Sequence, residues 1–229
     1  ITKENFSELV IYLNPTAAAQ VTPYNNGNGV TLYAENGDSV KLLEDCDTDI
    51  TIVQKEDVNI VLDGNNKEFS GTIYIHGQAR YDGEETLTIQ NVDFVTTEAG
   101  RDFISANSTA STARYAHNVT VKDCSFAATG DTVNSTVGMR FRQAYDIKVE
   151  DCTADGLHSL MWATGGEGIS VADTKIENCK NGISFGTSTK VAVKDSSIQT
   201  TGTDGYGLRF DGSVEAENKV EIFSVGACT

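Results

Sequence analysis

Val119-Thr-Val-Lys-Asp123 is followed along the chain by Ile147-Lys-Val-Glu-Asp151, Ile169-Ser-Val-Ala-Asp173 and Val191-Ala-Val-Lys-Asp195, with an earlier copy at Leu87-Thr-Ile-Gln-Asn91. Each copy leads into a small or apolar residue, a polar one and usually another apolar one: Val92-Asp-Phe94, Cys124-Ser-Phe126, Cys152-Thr-Ala154, Thr174-Lys-Ile176 and Ser196-Ser-Ile198. A strand sends successive side chains to opposite faces, and Asn and Asp tolerate the left-handed backbone conformation, so alternation on both sides of an Asn or Asp describes two short strands joined at a bend. From Ile89 through Val121, Val149 and Val171 to Val193 the phrase advances by 32, 28, 22 and 22 residues. The shortest step is one rung of a solenoid, and the longer steps are the same rung carrying inserted loops.

A second phrase lies between copies of the first: Gly138-Met-Arg-Phe141, Ser159-Leu-Met-Trp162, Gly182-Ile-Ser-Phe185 and Gly207-Leu-Arg-Phe210. Aligned on their first residues, these segments send Met139, Leu160, Ile183 and Leu208 inward. The aromatic two residues further on, Phe141, Trp162, Phe185 or Phe210, then also points inward, while Arg140, Met161, Ser184 and Arg209 face out. Weaker rungs extend the ladder through Ile50-Thr-Ile52, Ile60-Val-Leu62 and Ile73-Tyr-Ile75 on one side and Val220-Glu-Ile222 on the other. Helical spacing occurs once, at Phe6, Leu9, Val10 and Leu13, with Thr2 as N-cap and Glu4 in the first turn. It predicts a short N-terminal capping helix within a cap and lead-in over residues 1–20, ahead of regular rungs over 50–225. No comparable lid follows the last rung, so a further domain or another chain is expected at the C-terminal end. The whole chain, 1–229, reads as a single domain.

Two repeat columns in register predict an all-β fold, a right-handed parallel β-helix. Over roughly residues 50–225 they resemble the repeats of the pectin-lyase-like superfamily, which includes polysaccharide lyases and hydrolases, phage tailspikes and fibres, and bacterial surface adhesins. The resemblance implies an extracellular or cell-surface protein and leaves the function to be argued from the site. Two motifs of the pectin-degrading members are missing. No Gly-His-Gly occurs, since the histidines stand in Ile-His76-Gly, Ala-His117-Asn and Leu-His158-Ser, and an Arg-x-Pro-x-x-Arg stretch is ruled out because the only prolines are Pro15 and Pro23. The reading is therefore an adhesin-like or fibre-like module that binds glycan or presents a surface rather than an enzyme. The alternatives are a carbohydrate-active enzyme, a polysaccharide lyase or glycoside hydrolase, and a purely structural spacer.

Seventeen Lys and Arg against 33 Asp and Glu leave a net charge of −16, which repels phosphate backbones and anionic membrane surfaces. Nucleic acid is thus not expected as a partner, and without an apolar run of about 20 residues neither is membrane insertion. The acidity reads first as solubility, and it leaves open cations, a cationic surface or neutral glycans touched through hydrogen bonds; polysaccharide or other glycan is the ligand class carried into the reading. The candidate ligand-binding surface is the outward side of the second phrase's sheet: Tyr74 and His76, Arg140 and Arg142, and Arg209 with Asp211. Arg and Tyr anchor sugars and carboxylates through forked hydrogen bonds and ring faces. His158 and Glu167, bordering Trp162, are placed to add an acid/base pair.

The Asn/Asp column stacks Asp123, Asp151, Asp173 and Asp195 on consecutive rungs, where Ca²⁺ would relieve like-charge repulsion. The bend itself demands Asn or Asp, however, and Asn91 fits the same column without charge, so no cofactor is expected and the column reads as a turn former. Cys124 and Cys152 are expected at equivalent inward positions as small interior residues, near enough for a bridge in an oxidising compartment. The 97–117 stretch, with Arg101, Asp102, Arg114 and Tyr115, is expected as the largest insertion between rungs, tied down by Phe103-Ile104, with 127–137 as a shorter companion.

Overall fold

The computed structural model describes residues 11–13, 20–23, 29–33, 37–77, 83–107, 115–130, 135–201 and 204–212. The chain coils into an all-β parallel solenoid of about six turns. Each full turn contributes one strand to each of three faces. The first face stacks Asp38–Leu42, residues 60–63, residues 87–90, His117–Lys122, Tyr145–Glu150, Ser170–Ala172 and Ala192–Lys194. The second stacks residues 67–69, residues 92–96, Ser125–Ala128, Thr153–Asp155, Lys175–Cys179 and Ser197–Thr200. The third is a nine-stranded sheet in which Gly29–Tyr33, Asp49–Val53, Ile73–His76, Asp102–Asn107, Val137–Arg142, Ser159–Thr164, Ile183–Gly186 and Leu208–Asp211 run parallel. Among the described residues, pairing turns antiparallel only toward the N-terminal start, Ile11–Leu13 against Asp38–Leu42 and Gln20–Pro23 against Gly29–Tyr33.

The bend between the first and second faces is where the sequence phrase placed it. Asn91, Asp123, Asp151, Asp173 and Asp195 have φ of 53°, 53°, 51°, 49° and 44°. This left-handed conformation costs most residues roughly 1–2 kcal/mol, and Asn and Asp offset part of it by local hydrogen bonding. Pairing in register then brings Ile89, Val121, Val149, Val171 and Val193 into one buried column. The next inward column is Val92, Cys124, Cys152, Thr174 and Ser196, all buried. The four described cysteines, Cys46, Cys124, Cys152 and Cys179, are free thiols, so Cys124 and Cys152 serve as small interior residues without a bridge. Burial pushes the Cys179 thiol up to about 11. The hydrogen bond with Cys152 and burial likewise push Cys124 up.

Under the second face the core is aromatic. Phe94 and Phe126 stack at 4.8 Å with planes 5° apart, Phe69 meets Phe94 edge-on at 5.7 Å, and Phe103 leans on both stacked rings. A contact of this kind adds roughly 0.5–1.5 kcal/mol to the area it buries.

Three expectations change. Phe6, Leu9 and Val10 of the proposed capping helix lie outside the described residues, as does Val220-Glu-Ile222. Leu13, the last member of the helical pattern, falls in the strand Ile11–Leu13, and no α-helix occurs among the described residues. Residues 97–117 are not one insertion, because Asp102–Asn107 is a third-face strand in register with Val137–Arg142, and Phe103 and Ile104 are fully buried core rather than an anchor. The third change is a one-residue slip at Ser159–Thr164. Met139 pairs with Met161 and Met161 with Ile183, an even spacing of 22 residues, so Leu160 and not Ser159 stands level with Gly138 and Gly182. A slip of one exchanges the two faces of a strand. Met161 is therefore fully buried, and Trp162 is half-buried on the outside. Phe141 and Phe185 are buried as expected, while Phe210 stacks on Phe185 at 5.5 Å but stays 40% exposed.

Candidate functional site

The outward positions of the third face form two columns. The first runs Thr51, Tyr74, Ser105, Arg140, Trp162, Ser184 and Arg209. The second pairs Val53 with His76 and continues from Arg142 through Thr164 and Gly186 to Asp211. Tyr74, His76, Arg140, Arg142, Arg209 and Asp211 thus share one sheet surface. His158 sits in the turn entering Ser159–Thr164, its ring edge-on to Trp162 at 5.4 Å and its Nε2 3.2 Å from Asn181 Nδ2. Glu167 lies beyond the other end of that strand, paired with Lys190. A strand of this length separates the two by about 20 Å. The structure therefore does not bring His158 and Glu167 together as an acid/base pair.

Trp162 owes its position to the register just described. The Arg140 guanidinium lies 4.4 Å from the centre of its ring. The same guanidinium forks onto Asp102, Nε donating to Oδ2 at 2.6 Å and Nη2 to Oδ1 at 3.0 Å. Arg140 is thereby fixed between a carboxylate and an indole, which makes a rigid ledge of cation–π and forked ion-pair contacts. Further along, Arg209 Nε donates to Asp211 Oδ2 at 2.6 Å, and the guanidinium carbon lies 5.4 Å from the Tyr206 ring. Hydrogen bonding and charge from Asp211 raise the Arg209 pKa above its usual value.

Beside this ledge lies a groove of about 390 Å³ lined by Asp49, Thr72, Tyr74, Glu98, Ala99, Gly100, Arg101, Asp102 and Ser105. Its floor comes from three successive third-face strands and its rim from the 97–101 turn, in which Gly100 adopts φ +77°. Internal hydrogen bonds hold the lining in place. Asp49 Oδ1 accepts from the Thr72 amide at 2.7 Å, and Thr72 Oγ1 donates to the Asp102 carbonyl at 2.8 Å. Arg101 reaches Asp49 at 3.4 Å and Glu98 at 2.5 Å. The Arg101 hydrogen bond and charge hold the Glu98 carboxyl below the usual carboxylate range. Asp102 belongs to both features, lining the groove while each of its carboxylate oxygens accepts one hydrogen bond from Arg140.

Sequence reasoning singled out Arg101 and Asp102 as loop residues but missed Asp49 and Glu98. The signal that could have found them is the Asp102–Asn107 strand, which once recognised places Asp102 opposite Val137 and level with the Arg-bearing sheet.

A second polar cluster is buried at the corner between the third and first faces. His117 and Glu85 are 0% and 3% exposed at the side chain, with Nε2 2.8 Å from Oε1. His117 Nδ1 lies 3.1 Å from the Tyr115 carbonyl oxygen. Gln54 brackets the His117 backbone, Nε2 donating to its carbonyl at 2.7 Å while Oε1 accepts from its amide at 3.3 Å. A pair removed from solvent to this degree braces the corner and presents nothing to a ligand. Among the described residues no group of three or more His, Cys, Asp or Glu side chains is placed to hold a metal ion.

These features define the class, a parallel β-solenoid with a polar groove and an aromatic–cationic ledge on one face. Compared with known proteins, the chain matches no family model, no curated protein and no solved structure.

Proposed function

We propose that this chain is a surface-displayed or extracellular β-helix module, adhesin-like or fibre-like, that binds glycan along its third face without catalysis. The groove carries the reading. Its volume lies within the roughly 300–1,000 Å³ typical of ligand sites, its floor rests on rigid strands, and it combines the Tyr74 ring with convergent hydroxyl and carboxylate groups. Rings against sugar faces and polar groups against sugar hydroxyls are the elements of glycan recognition. The coil is proposed to be right-handed, since connections between parallel strands of one sheet are right-handed in about 98% of cases. Membership of the pectin-lyase-like superfamily completes the proposal.

The second reading, a glycoside hydrolase or polysaccharide lyase, draws on the three carboxylates around the groove. Catalysis of that kind needs one carboxyl raised as an acid and a second group poised as base or nucleophile. Glu98 is shifted the opposite way by Arg101, and both Asp102 oxygens accept from Arg140. Binding without chemistry fits that arrangement better.

The test is a polysaccharide panel assayed for binding and for release of reducing or unsaturated ends, with wild type beside Tyr74→Ala/Arg142→Ala. Binding by wild type, lost in the variant and without product release, is the expected result. Product release would make the protein an enzyme, and absence of binding would leave only a structural spacer.

A further inference from the structure

Of the guanidiniums on the third face, those of Arg101, Arg140 and Arg209 are already paired with carboxylates of that face, and Arg142 does not line the groove. Arg140 places its fork on both oxygens of Asp102, Arg101 sits between Asp49 and Glu98, and Arg209 holds Asp211. A forked guanidinium–carboxylate pair uses the very donors that would recognise a uronate or a sulfate, so an acidic sugar would have to displace a carboxylate built into the rung. The groove adds to this barrier, because the three carboxylates of its lining, those of Asp49, Glu98 and Asp102, meet the two guanidiniums of Arg101 and Arg140 and so outnumber them by one. At about 4 Å, even at the dielectric of bulk water, each like-charge contact weakens binding by about fivefold. An uncharged sugar meets the same surface with complementary groups, its hydroxyl protons toward the carboxylate oxygens and its C–H face toward Tyr74, which is 38% exposed.

We infer that the groove selects glycans that carry no carboxylate or sulfate, an inference that rests on the reading of this face as glycan-binding. The arginines then act as struts that orient Asp49 and Asp102, and the acceptor oxygens of those residues do the recognising. Substituting Asp102 by Asn keeps the shape of the side chain but releases Arg140 from its partner charge, which should turn part of the face toward anionic sugars.

The experiment is an oligosaccharide array printed in matched sets, each backbone in neutral, methyl-esterified uronate, free uronate and sulfated form, probed with wild type, Tyr74→Ala and Asp102→Asn. Wild type should prefer the uncharged member by about fivefold or more, Tyr74→Ala should lose that binding, and Asp102→Asn should narrow the ratio. Equal or tighter binding of the uronate or sulfated member by wild type overturns the inference and leaves the glycan reading standing. A preference for uncharged members that survives Tyr74→Ala overturns the assignment to this groove. Absence of binding to any member removes the glycan reading itself, and the inference with it.

Discussion

From Tyr145 to Ile198 the solenoid repeats at a fixed 22 residues, whereas from Asp49 to Arg142 each turn is longer and no two turns match. The difference shows inside as well as outside. Where the turns are regular, the second-face core column reads Ala154, Ile176 and Ile198; where they are not, it reads Phe69, Phe94 and Phe126, with Phe103 leaning in. Outside, the irregular part carries the 97–101 turn over the third face and with it the groove, while the regular part carries short corners and no comparable overhang. Lengthening a surface turn adds little closure entropy, roughly 0.6 kcal/mol per doubling, so a solenoid can vary its turns while core and bend keep the rung constant. Recognition surface accumulates where the turns lengthen.

The contrast can be broken most readily in the core. Phe126→Ala, beneath the irregular part, is expected to destabilise by about 3–5 kcal/mol, whereas Ile176→Val in the same column beneath the regular part should cost about 0.5–1.5 kcal/mol. Denaturant unfolding measures both. Equal costs would mean that the aromatic stack is no more than filler.

Next comes the buried corner of the irregular part. Glu85→Ala leaves His117 without the carboxylate 2.8 Å from its Nε2 and is expected to cost about 1–3 kcal/mol. A loss below about 0.5 kcal/mol would show that the corner is not braced by this pair.

The bend should behave alike in both parts. Asp173→Ala places a residue with a Cβ and no polar side chain at φ 49° and should lose about 1–2 kcal/mol, while Asp173→Gly loses less, since glycine adopts that conformation without strain. The same pair of substitutions at Asp123 should give the same order. A different order at the two sites would show that the bend is not one repeated device.

The smallest stability effect belongs to the face itself. Tyr74→Ala, at an outward and partly exposed position, should shift stability by no more than about 0.5 kcal/mol in thermal or chemical unfolding. A larger loss would make Tyr74 a structural residue and weaken its use as a probe of binding.

The regular part was the more legible in the sequence. Val149, Val171 and Val193 recur with an Asp two residues later, and both the inward column and the left-handed bend follow from that spacing. The Asp102–Asn107 strand was hidden because Ser105, Ala106 and Asn107 carry almost no hydrophobic signal, although Ser105 and Ala106 are buried. Trp162 was misplaced because the phrase was aligned on its small leading residue, Ser159, rather than on the 22-residue step, which puts Met161 in the core. The groove itself could not be seen, since Asp49, Tyr74 and Asp102 lie on different turns and meet only through parallel pairing. Which carboxylate meets which arginine was hidden for the same reason. Arg140 stood out in the sequence, and the partner that neutralises it stands 38 residues earlier.

Trp162 is the only tryptophan of the chain, and it lies on the third face beneath Arg140. Its emission, followed while a polysaccharide shown by calorimetry to bind is titrated in, therefore reports on this face alone. A ligand seated on the third face gives a saturable change in Trp162 emission with the calorimetric affinity, abolished in Tyr74→Ala. Calorimetric binding that leaves the emission unmoved would place the ligand elsewhere on the solenoid and contradict the third face as the binding surface.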